Sequence, residues 1–243
     1  MVSQNNATIL NKDLEGKSIE GKLKYLTENH QGKVIFTTSF GYEDQVISDI
    51  IFRNDFPIEV ITLDTGRMFE ETYKVYRSTV ERYGKPIKAY FPLADKVEEL
   101  LKEKGPFSFY ESLENRKECC FIRKVIPLKR ALKGNEIWIT GLRASQSDNR
   151  SDLKAFEWDE GNKIVKYNPL LDWSLDDVKE YVKKNNIPYN VLHDKGFVSI
   201  GCAPCTRAIR PGESFRAGRW WWEQNSGKEC GLHEISPEKS QKE

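Results

Sequence analysis

Short apolar runs alternate with stretches of helical periodicity through the first half of the chain. Short runs that are mostly apolar predict four strands, at 34–38, 58–63, 87–91 and 137–140. Apolar positions at helical spacing predict helices after the first three of them, at 46–51, 69–83 and 95–104. Strands that alternate with helices indicate βαβ units. We therefore predict an α/β fold with a parallel sheet flanked by helices.

The remaining segments carry weaker patterns. We expect residues 1–16 to be polar and frayed, residues 18–29 to form a leader helix, and residues 107–133 to form a helix interrupted or kinked at Pro127. Residues 155–158 and 164–167 resemble a hairpin, and Ser174 with Asp177 predicts a capped helix up to Asn185. We divide the single domain into an N-terminal leader (1–32), an α/β part (33–200) and a C-terminal segment (201–243).

The overall charge gives no reason to expect a nucleic-acid or membrane partner. The chain of 243 residues has 38 Lys and Arg against 37 Asp and Glu, for a net charge of +1. The first thirty residues lack the apolar core of a secretory signal, and no run reaches the length of a membrane span. We expect a cytoplasmic protein in which any anion is recognised locally.

Polar loops follow three of the predicted strands: SFGYED, LDTG and GLRASQSDNR. Ligands of parallel sheets bind beyond the carboxyl ends of the strands. Ser39 and Gly41 precede a helix, where a hydroxyl and backbone N–H groups can bind an anion. Phe40 stands where a polyphosphate loop would favour glycine, which indicates an anion smaller than the polyphosphate of ATP.

The other two loops supply groups for the rest of a nucleotide. Asp64, Thr65 and Gly66 can contact a ribose or a base edge, and Arg143 and Arg150 can hold phosphate or sulfate through their forked donors. We include the neighbouring loop residues Leu63 and Gly141. Each loop alone can be an ordinary polar turn, but together, at strand ends, they favour a nucleotide site.

The five cysteines fall into three clusters, unlike a disulfide framework. An adjacent pair, Cys119 and Cys120, and a CxxC pair, Cys202 and Cys205, make four thiolates, which suit zinc or an iron–sulfur cluster. Adjacent cysteines do not readily point at one small zinc ion, whereas a cubane offers each a separate iron. We favour a [4Fe–4S] cluster, with zinc as the alternative and unrelated buried thiols as the least favoured interpretation.

Cations accompany these cysteines, and a fifth cysteine stands alone near the end. Lys124 follows the adjacent pair and can stabilise a negatively charged cluster or attract an anionic substrate. Arg216 and Arg219 precede three tryptophans and can converge on one anion. Cys230, between Lys228 and His233, has the polar setting of a reactive thiolate.

These motifs together resemble one enzyme family. The pattern SFGxED, LDTG, GLRxxQSxxR, CC with CxxC, RAGRWWWE and KECGLH, over residues 30 to 234, is similar to the assimilatory adenylyl-sulfate (APS) reductases, which depend on thioredoxin. The resemblance implies an adenine-nucleotide α-hydrolase-like fold and one [4Fe–4S] cluster on the four paired cysteines. It also implies Cys230 as the nucleophile, on a mobile C-terminal tail.

The implied substrate is adenosine 5′-phosphosulfate. The resemblance places its phosphate and sulfate against a set of cationic residues, namely Lys124, Arg143, Arg150, Arg216 and Arg219. We also include His233, near Cys230, among the substrate-binding residues. It further implies an S-sulfocysteine on Cys230 that thioredoxin, or a glutaredoxin-like dithiol, resolves to sulfite. Three alternatives stay open: a PAPS or dual APS/PAPS reductase, a zinc-containing ATP-dependent sulfurtransferase or adenylating ligase, and a non-catalytic iron–sulfur sensor for which Cys230 is dispensable.

Overall fold

A six-stranded sheet forms the centre of the computed structural model, which describes residues 2–146 and 153–223. The strand order is β3-β2-β1-β4-β6-β5, and every neighbouring pair is parallel except the hairpin of β5 and β6. The apolar runs and the hairpin of the sequence prediction are confirmed. The strands are β1 (Val34–Thr38), β2 (Glu59–Leu63), β3 (Lys88–Tyr90), β4 (Ile137–Ile139), β5 (Phe156–Asp159) and β6 (Ile164–Tyr167).

Helices cover both faces of the sheet: α1 (Gln4–Asp13), α2 (Ile19–Asn29), α3 (Tyr42–Arg53), α4 (Glu70–Tyr83), α5 (Ala94–Lys104), α6 (Leu113–Cys120), α7 (Ile126–Leu132) and α8 (Leu175–Lys184). The side chains of successive β1 residues point to opposite faces of the sheet, because side chains alternate along a strand. Phe36 belongs to the larger core, while Ile35 packs with Leu128 of α7 in a second core. Burial on both faces explains why the inner strands read as continuous apolar runs.

The N-terminus differs from the prediction. Residues 4–13 form α1, with Ala7 and Leu10 buried, instead of a frayed segment. Asn11 bonds the edge strand twice: its Nδ2 donates to the Phe156 carbonyl at 2.6 Å, and its Oδ1 accepts from the Phe156 N–H at 3.1 Å. This helix therefore covers an edge that would otherwise expose unpaired backbone groups. The sequence of this helix is largely polar because only one of its faces is buried, so its packing against the sheet was not predicted.

The segment 107–133 is interrupted, but not by the proline alone. A π-helical segment, Phe121–Val125, separates α6 from α7, and Pro127 lies in the first turn of α7, where its missing N–H costs little. Inserted π turns often occur at functional sites. Here the insertion follows Cys119 and Cys120 directly and contains Arg123 and Lys124.

The capping of α8 was predicted correctly, since Ser174 and Asp177 bond each other's backbone N–H groups in a capping box.

Across the described ranges, no helix combines the length and the apolar character that crossing a bilayer requires.

Candidate functional site

A cavity of about 240 Å³ lies beyond the carboxyl ends of β1, β2 and β4. The strand order reverses direction between β1 and β4, which is where open α/β sheets bind ligands. The cavity is many times larger than the roughly 30 Å³ share of one water molecule, so it holds more than a single ion. Most of the predicted substrate residues line it: Ser39, Gly41, Leu63, Thr65, Lys124, Gly141, Arg216 and Arg219.

The loop after β1 is held by a carboxylate of the protein itself. Asp44 Oδ2 accepts from the Ser39 N–H at 2.5 Å and from the Ser39 Oγ at 2.6 Å. Phe40 adopts a left-handed φ of 61° and is fully buried, with its ring stacked on Tyr76. The sequence assigned the Ser39 donors to a ligand anion, but in the structure they are engaged by Asp44.

Asp44 is also confined from the side of β4. A Cβ added to Gly141 would lie inside contact distance of the Asp44 carboxylate, so only glycine leaves the loop in this position. Burial raises the pKa of Asp44 to about 6, and the hydrogen bonds from Ser39 limit that rise. The carboxylate thus fixes the shape of the cavity floor at the start of α3.

The LDTG loop uses its polar groups mainly to fix its own turn. Asp64 is buried, accepts from the Gly66 N–H at 2.8 Å, and accepts from the Tyr73 hydroxyl at 2.9 Å. Asp64 and Gly66 are outside the lining of the cavity, whereas Thr65 belongs to it. Arg123 Nη1 donates to the Thr65 carbonyl at 2.7 Å and ties this loop to the π-helical segment.

Arg143 does not line the cavity. Its side chain is buried, and its Nε bonds Glu43 Oε1 at 2.7 Å. Its Nη1 donates to Ser145 Oγ at 2.6 Å. Because Glu43 neutralises this guanidinium, Arg143 supports the loop and the start of α3 instead of presenting a free charge to a ligand.

Arg219, unlike Arg143, lines the cavity. It is buried, yet its Nε has no hydrogen-bond partner within the described ranges, and its Nη1 is 3.4 Å from Ser199 Oγ. A buried charge without a counter-ion is costly, so this guanidinium favours a bound anion. The position is set by backbone pairing, since Thr206 and Arg219 form an antiparallel bridge.

Three guanidinium groups lie against the ring of Trp220. Those of Arg116, Arg219 and Arg216 lie 4.5, 4.7 and 5.7 Å from its ring centre. Cation–π attraction offsets part of the repulsion among them. Arg116 also forms a paired ion contact with Glu223, at 2.8 and 3.1 Å, which attaches the end of the described C-terminal part to α6.

The two cysteine pairs, far apart in sequence, meet in one cluster. Cys119, Cys205 and Trp220 share a buried apolar group with Cys202 packed against it, and all four cysteines are free thiols. Burial raises the pKa of Cys205 to about 12, and the nearby Cys202 and Cys120 thiols add to the rise. In residues 2–146 and 153–223, no three His, Cys, Asp or Glu side chains converge as ligands of one metal ion.

Cys202 joins this cysteine group to the cavity. It lines the cavity, and its Sγ lies 3.3 Å from Thr65 Oγ1. Burial raises the pKa of this thiol, but the charge of Lys124, the Thr65 hydroxyl and the charge of Arg219 outweigh burial and leave the pKa below its ordinary value. The same cations therefore face both the sulfur atoms and the space for a ligand.

Several predicted residues lie outside the described ranges. These are Arg150, Cys230 and His233, together with the mobile tail predicted for the C-terminus, and they stay predictions.

Sequence reasoning missed one wall of the cavity. His193, Ser199 and Ile200 line it from the segment before the CxxC pair. His193 Nδ1 bonds the Phe197 carbonyl at 2.7 Å, and its ring stacks on Tyr42 at 4.1 Å. The signal available was a stretch without clear periodicity that leads directly into a cysteine motif.

Known proteins resemble this chain in sequence and fold. Residues 33–208 match the family model of the phosphoadenosine phosphosulfate reductase domain. An adenosine 5′-phosphosulfate reductase of Agrobacterium fabrum is 46% identical over 231 residues, which are 95% of this chain and 88% of that protein.

Two solved structures share the fold. A phosphoadenylyl-sulfate reductase from Candida auris, in a phosphate complex, has a TM-score of 0.71 at 32% identity and covers 86% of this chain and 98% of its own. An FMN adenylyltransferase from Candida glabrata has a TM-score of 0.51 at 16% identity, covering 98% and 88%, and supports the fold alone. The predicted nucleotide-binding α/β fold is confirmed.

Proposed function

The chain belongs to the phosphoadenosine phosphosulfate reductase family, and on that premise we propose that it reduces adenosine 5′-phosphosulfate to sulfite and AMP in sulfate assimilation. It is an oxidoreductase of sulfur compounds. The observation that carries the assignment to this site is Arg219, a buried guanidinium at the strand-end cavity whose Nε has no hydrogen-bond partner among residues 2–146 and 153–223. Sulfite formation by the purified protein with this nucleotide is the direct test.

The protein's part in the reaction is to bind and orient an anionic nucleotide. The loops after β1, β2 and β4 would hold the nucleoside, and Lys124, Arg216 and Arg219 would hold the phosphosulfate end. Binding energy from the nucleoside then aligns the sulfur for in-line attack. Cations near the phosphate stabilise the charge that develops on the departing AMP.

Cys230 is the nucleophile in this proposal. Its thiolate attacks the sulfate sulfur, the S–O bond to the phosphate breaks, and AMP leaves with the electron pair, so the enzyme carries an S-sulfocysteine. A thioredoxin thiolate then attacks the Cys230 sulfur and expels sulfite, and the second thioredoxin thiol resolves the mixed disulfide. The dithiol thus supplies both electrons, and the net products are sulfite, AMP, oxidised thioredoxin and two protons.

Cys119, Cys120, Cys202 and Cys205 would hold a [4Fe–4S] cluster. The donor set fits such a cluster, because four free thiols meet beside Lys124, Arg123 and Arg219. Adjacent cysteines such as Cys119 and Cys120 suit a cluster of several irons better than a single zinc, because a cubane offers each of them a separate iron. Bound there, the cluster supplies an electrostatic and structural contribution, and the proposed electron source stays the dithiol.

Iron and acid-labile sulfide analysis of anaerobically purified protein tests the cluster. About four irons per chain are expected, whereas one zinc would replace the cluster proposal. Four free cysteines also suit a reducing compartment, and we place the reaction in the cytoplasm on that chemistry.

The 3′-phosphorylated nucleotide is the second candidate substrate. The matched family model and the Candida auris enzyme both carry the phosphoadenylyl-sulfate description. A comparison of kcat/KM for the two nucleotides decides between them, and comparable values would indicate a dual reductase.

A further inference from the structure

Four aromatic rings, three of them exposed and one half-buried, form a continuous surface beside the cysteine group. Phe107, Tyr110, Trp222 and Trp221, called here the aromatic surface, follow one another with ring-centre separations of 6.2, 4.4 and 5.7 Å. Phe107 is 61% exposed, Trp221 48% and Tyr110 39%. Single exposed apolar residues are ordinary, but contiguous ones mark an interaction site.

The aromatic surface is held in place by groups beneath it. The Tyr110 hydroxyl donates to the Pro204 carbonyl at 2.6 Å, inside the CxxC motif. Arg67 donates to the Pro106 carbonyl at 2.6 Å and lies over the buried ring of Phe109 at 4.9 Å. A surface fixed in this way loses little side-chain entropy when a partner binds.

The same contacts place the aromatic surface next to the catalytic elements. Arg67 follows the LDTG loop, and its carbonyl accepts from the Ala203 N–H at 2.8 Å. Trp221 and Trp222 lead into the segment that carries Cys230, eight residues after Trp222. Eight residues span at most about 29 Å, at roughly 3.6 Å each. The thiol of Cys230 therefore stays within reach of a partner seated on these rings.

We infer that the aromatic surface docks the dithiol protein that reduces the S-sulfo form of Cys230. The inference rests on the proposed function. The partner is a small protein that presents an exposed dithiol within an apolar face, because Trp and Tyr contribute most to binding where they meet apolar surface. A compact partner of about 100 residues has a radius of gyration of roughly 13 Å, which lets one molecule contact both the rings and Cys230.

The test uses a Phe107→Ala/Trp221→Ala double variant of the full chain. Ile9→Ala is the matched control, since Ile9 is 45% exposed on α1, which packs against β5 and β6. Sulfite formation is measured with thioredoxin over a range of concentrations and, separately, with dithiothreitol. We expect the KM for thioredoxin to rise about tenfold or more in the double variant. Turnover with dithiothreitol and AMP release in a single turnover should match wild type.

Each other outcome has a distinct meaning. An unchanged KM for thioredoxin overturns the inference. A parallel loss of dithiothreitol turnover would assign these rings to the protein's own C-terminal segment, and a change of oligomeric state would assign them to a second copy; either also overturns it. Wild-type protein that forms no sulfite with either reductant would reject the proposed function itself, and sulfite with dithiothreitol but not with thioredoxin would reject only the docking partner.

Discussion

Gly201→Ala tests the anion site without removing any charged group. A Cβ on Gly201 would lie 2.6 Å from Cζ of Arg219, whereas ordinary contact begins near 3.4 Å. Because Nη2 of Arg219 would lie closer still, the guanidinium must move by about 1 Å. It can do so at low cost to folding, because it is the end of a flexible side chain, and the Gly201 N–H keeps its bond to Thr206 Oγ1.

The expected effect is on catalysis. A misplacement of about 1 Å can cost on the order of 100-fold, so kcat/KM for adenosine 5′-phosphosulfate should fall by roughly that factor, equivalent to about 2.7 kcal/mol. Sulfite release is the assay, with thermal unfolding and iron content measured on the same preparation because Cys202 is the next residue. We expect the unfolding temperature and the iron content to match those of wild type.

The matched control is Gly161→Ala in the turn between β5 and β6. Its added Cβ would meet Asp159 Oδ1 at 3.5 Å, which is ordinary contact, so the rate should not change. If Gly201→Ala keeps kcat/KM within twofold of wild type, Arg219 does not hold the reacting anion.

Cys230→Ser should abolish sulfite formation and keep nucleotide binding, as measured by AMP titration; full activity would end the proposed mechanism. Gly141→Ala should weaken nucleotide binding by about tenfold or more and lower the unfolding temperature, because the new methyl group displaces Asp44 and its two bonds from Ser39. Burial raises the pKa of Asp44 from its ordinary 3.8 to about 6, so its contribution to stability is full below pH 3.8 and is lost as the pH rises through 6. The stability difference between Asp44→Asn and wild type should shift by roughly 2 kcal/mol in favour of the variant between pH 4 and pH 7, and a constant difference in urea unfolding would show that Asp44 titrates normally.

Local sequence pattern determined the architecture of this protein. The runs that became β1, β2 and β4 are largely buried and rich in β-branched residues, and the helices that follow β1 and β2 show periodicity, so each of these elements was visible within its own residues. The loops at the strand ends followed from topology, because parallel strands place their carboxyl ends at one edge. The pairing of CC with CxxC also followed from the sequence, since four thiols suggest one ligand set.

Contacts between distant residues decided the rest. Arg143 and Arg219 carry the same group in the sequence, but Arg143 pairs with Glu43, 100 positions away, whereas Arg219 Nε has no partner in the part of the chain that the structure describes. Asp44 accepts hydrogen bonds from the Ser39 N–H and hydroxyl, the donors that the sequence assigned to a substrate anion. The type of a residue determines which groups its side chain can bind. Which group it does bind depends on the residues that the fold brings beside it, and only the tertiary structure shows those neighbours.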